Sequence, residues 1–249
     1  IDIGEKPFRA KQIYEWLWKK RAISFDEMTN LSLSLRTKIE EHFIINAIQL
    51  TEAQKSNDKT IKNAFLLADQ AVVEGVLIPT KKRMTACVSV QVGCSLDCAF
   101  CATGKLKRVR NLNPDEIYDQ VVMISNQSLS EYDIPLSNIV FMGMGEPLLN
   151  YKNVLASIEK ITSKDGLGMS PKRITVSTAG IARMITKLAD DDVKFNLALS
   201  LHAANDEKRN KIMPINESNS LTILKEAMIY FEKKTNSRST LEYIIFKDF

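Results

Sequence analysis

Apolar and polar residues alternate along this chain in three different ways. In residues 1 to about 45, apolar side chains recur every three or four positions, the spacing of a helix face. From about Gln49 to Val92 the apolar runs are short and strand-like, and the polar pair Asp69-Gln70 between two of them predicts a hairpin. A further strand, CVSVQVG, follows. The first stretch is therefore predicted to be helical and the second to consist of strands.

The rest of the chain alternates between strand-like and helical patterns. The predicted strands are NIVFMG, RITVSTAG, KFNLALSLH and STLEYIIF, and the predicted helices span about 114–126, 151–164, 182–189, 206–211 and 221–233. Apolar strands that alternate with helices indicate a parallel sheet. Because no Gly-x-Gly-x-x-Gly signature is present, we expect a partial (β/α) barrel rather than a Rossmann arrangement. Active groups would then lie at the C-terminal ends of the strands.

The pattern predicts an α/β protein with three parts. These are an N-terminal helical accessory domain at 1–48, a β-hairpin linker segment at 49–85 and the partial barrel at 86–249. The chain begins at Ile1 rather than methionine and stops at Phe249, just after an apolar stretch. We expect it to be a fragment that is cut at both ends.

All four cysteines lie between positions 87 and 101. A disulfide framework would spread them along the chain, so the pattern favours a reducing cytoplasm and a metal site. No apolar run approaches the ~18 residues of a membrane span. The formal net charge is only +4, but basic residues cluster at 19–21, 81–83 and 105–110, and the last two groups flank the cysteines in sequence. These groups fit either a phosphate-bearing substrate or a solvated surface.

Three of the cysteines, Cys94, Cys98 and Cys101, form a C-x3-C-x2-C run. A structural zinc site normally has four protein ligands, and electron-transfer clusters are held by four cysteines. Three thiolates on one loop would hold three irons of a 4Fe–4S cluster and leave the fourth iron open. That iron can chelate the amino and carboxylate groups of S-adenosylmethionine. One electron from the cluster would then break a carbon–sulfur bond to give a radical.

Polar groups at the ends of the next three strands are candidate cofactor contacts. Gly145 and Glu146 lie in GMGEP, where Glu146 is either the partner of the cofactor's ammonium group or a solvated residue of an ordinary turn. Ser177 and Ser200 suit ribose hydroxyls or the cofactor carboxylate, although strand ends often carry serine. His202 is either buried for structural reasons or part of the site.

Two further residues have more than one interpretation. Cys87, on the strand that enters the cysteine loop, is a fourth cluster ligand, a buried strand cysteine or a second reactive thiol. Its place upstream on the strand disfavours the ligand role. Glu74 interrupts an apolar run and is either an outward-facing strand residue or a catalytic base. The residues alone favour the outward-facing position.

Six motifs extend over nearly the whole chain: PFRAKQIYEWLW, CVSVQVGCSLDCAFCATG, FMGMGEPLLN, ITVSTAGI, LALSLHAANDEKRNKIMPIN and LEYIIFKDF. They closely resemble those of the RlmN-type radical S-adenosylmethionine adenine methyltransferases, a family that also contains the Cfr-type enzymes. The cysteine loop alone indicates only the radical superfamily. Its combination with GMGEPLLN and SLHA is specific to this family.

The resemblance implies a role for each candidate residue. The implied cluster ligands are Cys94, Cys98 and Cys101. The implied cofactor contacts are Gly145, Glu146, Ser177, Ser200, Leu201 and His202. Glu74 corresponds to the proton acceptor of the family, against the outward-facing interpretation, and Cys87 corresponds to its catalytic thiol.

The resemblance also implies the reaction, which is methylation at carbon 2 of an adenosine in 23S ribosomal RNA and of the adenosine beside some tRNA anticodons. It proceeds through a methyl-cysteine near the C-terminus and a protein–RNA bond that Cys87 helps to resolve through a disulfide. The implied cofactors are a 4Fe–4S cluster and S-adenosylmethionine. We expect a reducing electron donor such as flavodoxin, a cytoplasmic location, no membrane and a monomer.

One feature departs from the family pattern. No cysteine follows Cys101, so the methyl-carrying cysteine is absent, and we expect these 249 residues to assemble a cluster without completing methylation. Two other functions stay open. One is methylation at carbon 8, as in the Cfr type, and the other is a non-catalytic iron–sulfur or zinc module that binds RNA.

Overall fold

The computed structural model describes residues 4–247 of the chain. The outer ends of the first and third expected domains, 1–3 and 248–249, lie outside the described residues, as do the last two residues of the LEYIIFKDF motif. The proposed boundaries near 48 and 85 stay predictions. No helix within 4–247 is long and apolar enough to cross a membrane.

Helices dominate the first part of the chain and then alternate with strands. The helices are α1 (Phe8–Tyr14), continued by a π-helical turn at Glu15–Lys20, α2 (Leu33–Glu40), α3 (Pro114–Tyr132), α4 (Tyr151–Thr162), α5 (Ala182–Asp190), α6 (Asp206–Ile212) and α7 (Leu221–Thr235). The strands are β1 (Gln49–Lys55), β2 (Ile61–Leu66), β3 (Val72–Pro79), β4 (Met84–Cys87), β5 (Gln91–Val92), β6 (Arg110–Asn111), β7 (Asn138–Phe141), β8 (Ile174–Thr178), β9 (Asn196–Ser200) and β10 (Thr240–Glu242).

Eight of these strands form one sheet in the order β1-β2-β3-β4-β7-β8-β9-β10. Strands β1 to β4 pair antiparallel, and β4, β7, β8, β9 and β10 pair parallel. The parallel sheet predicted from the alternation is therefore confirmed. The predicted hairpin joins the same sheet, because β3 pairs with β4 along its edge. The short strands β5 and β6 pair with each other separately.

Helix α3 covers one face of the sheet. It begins at a capping box in which Asn113 and Glu116 bond each other's backbone, with proline in the first turn. The sequence predicted that it would end near Asn126, but it continues to Tyr132. The added turns are held by Ser128, which is fully buried and donates its hydroxyl to the carbonyl of Ile134 at 2.6 Å. The sequence prediction relied on the spacing of apolar residues and therefore ended the helix too early, because this side-chain hydrogen bond stabilises the last turns.

The last strand is shorter than predicted. STLEYIIF was expected to be a strand along its length, but only Thr240–Glu242 pair with β9. Beyond them Tyr243 is half exposed and Ile245 is 91% exposed. Among the described residues β10 has a strand on one side only. An apolar run needs neighbours on both faces and both edges to continue as a central strand, and among residues 4–247 β9 is the only strand beside β10.

The close approach of α3 to β3 depends on a glycine. A methyl group built on Gly75 would lie 2.6 Å from Cε2 of Phe65 and 3.2 Å from Cδ1 of Ile124. We expect Gly75→Ala to lower the free energy of unfolding by about 1–3 kcal/mol, because the buried Phe65 ring has no space into which to move. Urea denaturation measures the change. The penalty should shrink in a Phe65→Leu background, which opens that space. An equal penalty in both backgrounds would contradict the steric explanation.

Candidate functional site

The register of the sheet brings four of the predicted site residues onto one face, namely Glu74, Cys87, Ser177 and Ser200. Cys87 is paired with Val76 of β3 and with Val140 of β7. Glu74 lies two residues before Val76, and side chains two apart on a strand share a face. Glu74 and Cys87 therefore face the same side. It is opposite the α3 side, where Val73 and its neighbours are fully buried.

The same face continues to the far edge of the sheet. Ser177 lies at the end of β8, and Ser200 at the end of β9 is in register with Glu242 of β10. The two serine hydroxyl oxygens are 3.4 Å apart, and both contact Oε2 of Glu242, at 2.9 Å from Ser177 and 3.3 Å from Ser200. Three neighbouring strand ends thus meet in one hydrogen-bonded group.

Sequence reasoning missed Glu242. The available signal was an acidic residue that interrupts the apolar run of STLEYIIF, the same kind of signal that identified Glu74. Glu242 also fixes the turn after β9, because its carbonyl accepts the backbone N–H groups of Leu201, at 2.9 Å, and His202, at 3.2 Å. This residue therefore contributes both its backbone and its side chain to the candidate site.

The GMGEP loop packs tightly against the chain that follows β4. A methyl group on Gly143 would lie 2.7 Å from the Ser89 hydroxyl, and one on Gly145 would lie 2.4 Å from Cβ of Gln91. Ser89 donates to the carbonyl of Glu74 and accepts from the backbone N–H of Met144. Gly145 also has a φ of +96°, which favours glycine. Because the two glycines have no side chains, the backbone of this loop can lie directly against Ser89 and Gln91, which follow β4.

Glu146 is buried rather than solvated, and only 3% of its surface is exposed. Its Oε1 accepts the Leu148 N–H at 3.0 Å, and its Oε2 accepts the Ala179 N–H at 2.8 Å. Burial raises the pKa of this carboxyl, while the two backbone donors oppose the rise. The turn interpretation with a solvated glutamate is therefore wrong. The carboxylate joins the GMGEP loop to the end of β8, and its contact with a cofactor ammonium stays a prediction.

The cysteine loop packs against the strand ends from outside the sheet. Phe100 and Leu96 contact a small apolar cluster built around Ala179, Ala203 and Met213. The N–H of Ala99 donates to the carbonyl of Ile212 at 2.9 Å. These contacts fix the loop that carries the three predicted cluster ligands beside β8 and β9.

Inside the loop the backbone is folded into tight turns. Cys101 donates its N–H to the carbonyl of Cys98 at 3.0 Å, and Gly104 donates to that of Cys101 at 3.1 Å. A methyl group on Gly104 would lie 3.0 Å from the Cys98 carbonyl oxygen. Burial raises the pKa of the Cys98 thiol to about 12, and the negative charges of Cys101 and Cys94 add to the rise. Thiolates whose charges act on one another in this way need a cationic partner, which iron would supply.

The thiols do not form a preassembled single-ion site. Within residues 4–247 no group of three or more histidine, cysteine, aspartate or glutamate side chains is arranged to hold a metal ion. All four cysteines are free, so the expected disulfide is not seen. A cleft of about 470 Å³ opens beside Cys94 and is lined by 95, 97 and 104–108. The proposed cluster therefore rests on the spacing and chemistry of the three thiols.

Cys87 and Glu74 have opposite environments on their shared face. Cys87 is buried, and burial raises the pKa of its thiol to about 11, with a further contribution from the negative charge of Glu242. Its thiol is therefore protonated at neutral pH. The Glu74 side chain is 52% exposed and pairs with Lys62 at 3.1 Å. The outward-facing position expected from the residues alone is confirmed, and the catalytic role stays a prediction.

His202 is a buried residue that connects three segments. Its ring packs edge-on against Phe100 of the cysteine loop, with 4.8 Å between ring centroids. Its Nδ1 accepts the Ile244 N–H at 3.3 Å, and its backbone φ is +54°. Burial lowers the pKa of the imidazole, so it is neutral at pH 7 and carries its proton on Nε2. These contacts explain its burial, and its role as a cofactor contact stays a prediction.

A buried arginine, Arg209, holds the strand ends in place. It is fully buried and donates from Nη2 to the carbonyls of Ala179, at 2.6 Å, and Ser200, at 3.0 Å. Its Nε donates to Leu201 and its Nη1 to Asn216. Nothing in the sequence pattern indicated this residue, because it lies in the polar run DEKRNK of α6 and resembles a surface residue.

One of the three basic clusters, 105–110, lies beside the cysteine loop, and within residues 4–247 no salt bridge involves Lys105, Lys107 or Arg108. Residues 105, 107 and 108 are exposed there, whereas Arg110 is paired with Asp69 and Glu116. Residues 81–83 occupy the turn before β4, which is the opposite end of the parallel strands from the site. In the first cluster Lys20 lies over the Trp16 ring, 3.7 Å from its centroid.

Two family models match the chain. One, described as "Ribosomal RNA large subunit methyltransferase N-terminal domain", matches residues 1–45. The other, described as "Radical SAM superfamily", matches residues 88–246. The first covers the helical part of the chain, and the second covers the cysteine loop and the parallel strands β7 to β10, beginning just after β4.

Similar proteins extend over nearly all of the chain. A protein of Christiangramia forsetii named "Probable dual-specificity RNA methyltransferase RlmN" is 62% identical over 245 residues, 98% of this chain and 70% of the relative. A protein of the same name from Cytophaga hutchinsonii is 62% identical over 243 residues, 98% of this chain and 67% of the relative. The crystal structure of a radical SAM methyltransferase from Sphaerobacter thermophilus matches with a TM-score of 0.89 at 36% identity, over 96% of this chain and 70% of that one. The expected radical SAM partial barrel is confirmed.

The network around Arg209 leads to a prediction about stability. Arg209→Met keeps most of the side-chain volume but leaves several buried oxygen acceptors without donors. We expect the free energy of unfolding to fall by about 3–5 kcal/mol, measured by urea denaturation. The matched control is Arg183→Met, since Arg183 is an exposed residue of α5. Equal, small effects of the two substitutions would contradict the proposed importance of the buried network.

Proposed function

We propose that this chain, which belongs to the RlmN family of radical S-adenosylmethionine RNA methyltransferases, carries out methylation at carbon 2 of adenosine in ribosomal and transfer RNA. The observation that carries the proposal is the position of the cysteine loop. It packs against the ends of β8 and β9, next to the polar face that carries Cys87 and Glu74. A radical formed at the loop would therefore arise at the strand ends that border this polar face.

In the proposed site Cys94, Cys98 and Cys101 hold a 4Fe–4S cluster, and Gly145, Glu146, Ser177, Ser200, Leu201 and His202 hold S-adenosylmethionine. When bound, the cluster and the cofactor supply one-electron cleavage of a carbon–sulfur bond. The chain's residues position the cofactor and exclude water. Burial of Glu146 and His202 supports this assignment, because a low-dielectric pocket protects a radical from solvent.

Cys87 and Glu74 are proposed to handle thiol and proton chemistry on the RNA. The raised pKa of Cys87 supports a thiol that keeps its proton until a covalent bond at the adenine has to be broken. After losing that proton, its sulfur can attack the sulfur of the protein–RNA thioether, so that a disulfide forms while the carbon–sulfur bond breaks and its electron pair passes to the adenine-bound carbon. Glu74, exposed on the same face, is proposed to accept the proton from the adenine carbon. The route is chemically reasonable because a ring carbon between two nitrogens is a poor target for polar methyl transfer.

RNA is the proposed substrate, and the exposed charges at 105, 107 and 108 support it. They border the cleft beside Cys94, so phosphates bound there would lie next to the cluster. Four free cysteines support a reducing, cytoplasmic location. The flavodoxin donor and the monomeric state stay predictions.

The division between cluster ligands and catalytic thiol is tested by iron content. After anaerobic reconstitution we expect about four irons per chain and cofactor cleavage that depends on a reductant. Cys98→Ala should abolish iron binding, whereas Cys87→Ala should retain it, because the buried Cys87 lies on β4 and outside the loop. Iron analysis and the visible absorption of the cluster report the result. Bound zinc without cleavage, or equal iron loss in both variants, would overturn the assignment.

The RNA-binding surface is tested by a pair of triple variants with equal charge change. Lys105→Ala/Lys107→Ala/Arg108→Ala should weaken binding of a 23S rRNA fragment about 10- to 100-fold. It should also lower the slope of log K against log salt by about two to three, because each lost phosphate contact removes a little under one unit. Lys81→Ala/Lys82→Ala/Arg83→Ala removes the same charge at the opposite end of the sheet and should leave affinity within about twofold. Equal losses in both variants would contradict a specific surface beside the cysteines.

A further inference from the structure

Lys62 lies in the same cross-strand row of the sheet as Cys87. Both residues are paired with Val76 of β3, Lys62 from β2 and Cys87 from β4. Residues directly opposite each other on antiparallel strands point to the same side of the sheet. Lys62 therefore lies on the polar face, and two strand spacings, about 10 Å, separate its backbone from that of Cys87. A gap of this width admits a flat aromatic ring.

The floor of this gap is apolar. Val76 lies between Lys62 and Cys87, and Ala64 of β2 is paired with Glu74 on the same face. The side chains of Val76 and Ala64 are both partly accessible. Enzymes that modify a base hold it against apolar or aromatic side chains. The two apolar residues therefore form a platform for the face of a base, and an ammonium, a carboxylate and a thiol border it.

The ammonium and the carboxylate at this border are in contact. Nζ of Lys62 lies 3.1 Å from Oε1 of Glu74, and the two side chains are 49% and 52% exposed. An exposed ion pair of this kind contributes little to stability. An ammonium group has three N–H donors, and among the described residues Glu74 is the only side chain that accepts one from Lys62. The remaining donors are therefore available to a ligand that enters from the solvent.

The proposed methylation site, carbon 2 of adenine, lies between the ring nitrogens N1 and N3. Each of these nitrogens accepts a hydrogen bond in the plane of the ring, beside the C–H bond of carbon 2. A donor at either nitrogen and an acceptor at that C–H bond must therefore be close neighbours, as Lys62 and Glu74 are. We propose that Lys62 binds the target adenine by donating a hydrogen bond to N1 or N3 while Glu74 faces carbon 2. This inference rests on the proposed function, which supplies the adenine and the role of Glu74.

The contact would affect both the reaction and the choice of base. Addition of a carbon radical at carbon 2 shifts electron density towards the adjacent ring nitrogens, where a cationic donor stabilises it. Lys62 keeps its proton throughout, so the contact adds no covalent or redox step. Guanine has N–H donors on carbon 2 and at N1, and these would face the lysine ammonium donor against donor. Lys62 would therefore favour adenine over guanine at this position.

The test measures how Lys62→Met and changes in the base affect RNA binding together. The cluster-reconstituted chain is titrated by fluorescence anisotropy against a 23S rRNA fragment with adenosine, 1-deazaadenosine or 3-deazaadenosine at the target position. Lys62→Met should weaken binding of the adenosine RNA roughly tenfold, because a charged donor is lost. For the deaza RNA that lacks the contacted nitrogen, the same substitution should change affinity by no more than about twofold.

The matched control is Lys55→Met, which removes the same charge from another exposed, ion-paired lysine of the sheet. Lys55 is paired with the buried Ile61 and contacts Glu131 of α3, so it points to the opposite face. Its substitution should leave affinity for every RNA within about twofold. Lys62→Arg keeps a charged donor and should recover most of the affinity for the adenosine RNA.

Each outcome distinguishes the inference from the proposed function. An equal loss on all the RNAs would overturn the inference. A slope of log K against log salt lowered by about one would then identify a phosphate contact, and an unchanged slope a change in the fold. An unchanged affinity of Lys62→Met for the adenosine RNA would also overturn it. If the unsubstituted chain binds iron but not this RNA, the proposed function fails and the inference with it. If it binds the RNA, the proposed substrate stands whichever way Lys62 behaves.

Discussion

A single buried cation organises the catalytic end of this protein. The guanidinium of Arg209 has no carboxylate bonded to it among the described residues, and its donors go instead to the carbonyls that end β8 and β9 and to Asn216. A charge in this position is stable only while those oxygens stay in place. The strand ends, the cysteine loop packed against Ala179 and the turn at Leu201 are therefore parts of one network. The geometry of the site depends on electrostatic bonds to the backbone as much as on apolar packing.

The sheet separates two kinds of chemistry by the alternation of its side chains. One face is apolar and is covered by helices such as α3, which gives the sheet its stability. The other carries Glu74, Cys87, Ser177 and Glu242, whose hydrogen-bonding groups would be costly to bury without partners. Because the period is two residues, a shift of one residue in any strand would exchange the faces. The packing of the apolar face and the arrangement of the reactive groups on the other face therefore both depend on the same strand register.

The sequence predicted the alternating strands and helices because each pattern is local. It also predicted the cysteine loop and the polar strand ends, since these residues stand together in short motifs. Arg209 and Glu242 were not predicted. The serine partners of Glu242 lie 42 and 65 residues before it, and the Ala179 carbonyl that Arg209 binds lies 30 residues away. No local pattern distinguishes Arg209 from an exposed residue, and the break in the apolar run at Glu242 does not show which side chains that carboxylate contacts. The length of β10 was misjudged because an apolar run shows nothing about how many neighbours the fold will give it.

The position of Glu242 near the end of the described chain has a consequence for synthesis on the ribosome. The cysteine loop is translated early, and the serines follow on β8 and β9, but their carboxylate partner and the carbonyl that ties down Leu201 and His202 come much later. Until β10 has emerged, His202 lacks that anchor and the thiols of the loop have an incomplete pocket beside them. Cluster insertion would therefore be favoured once β10 has emerged, because the chain can then enclose the inorganic centre that it receives.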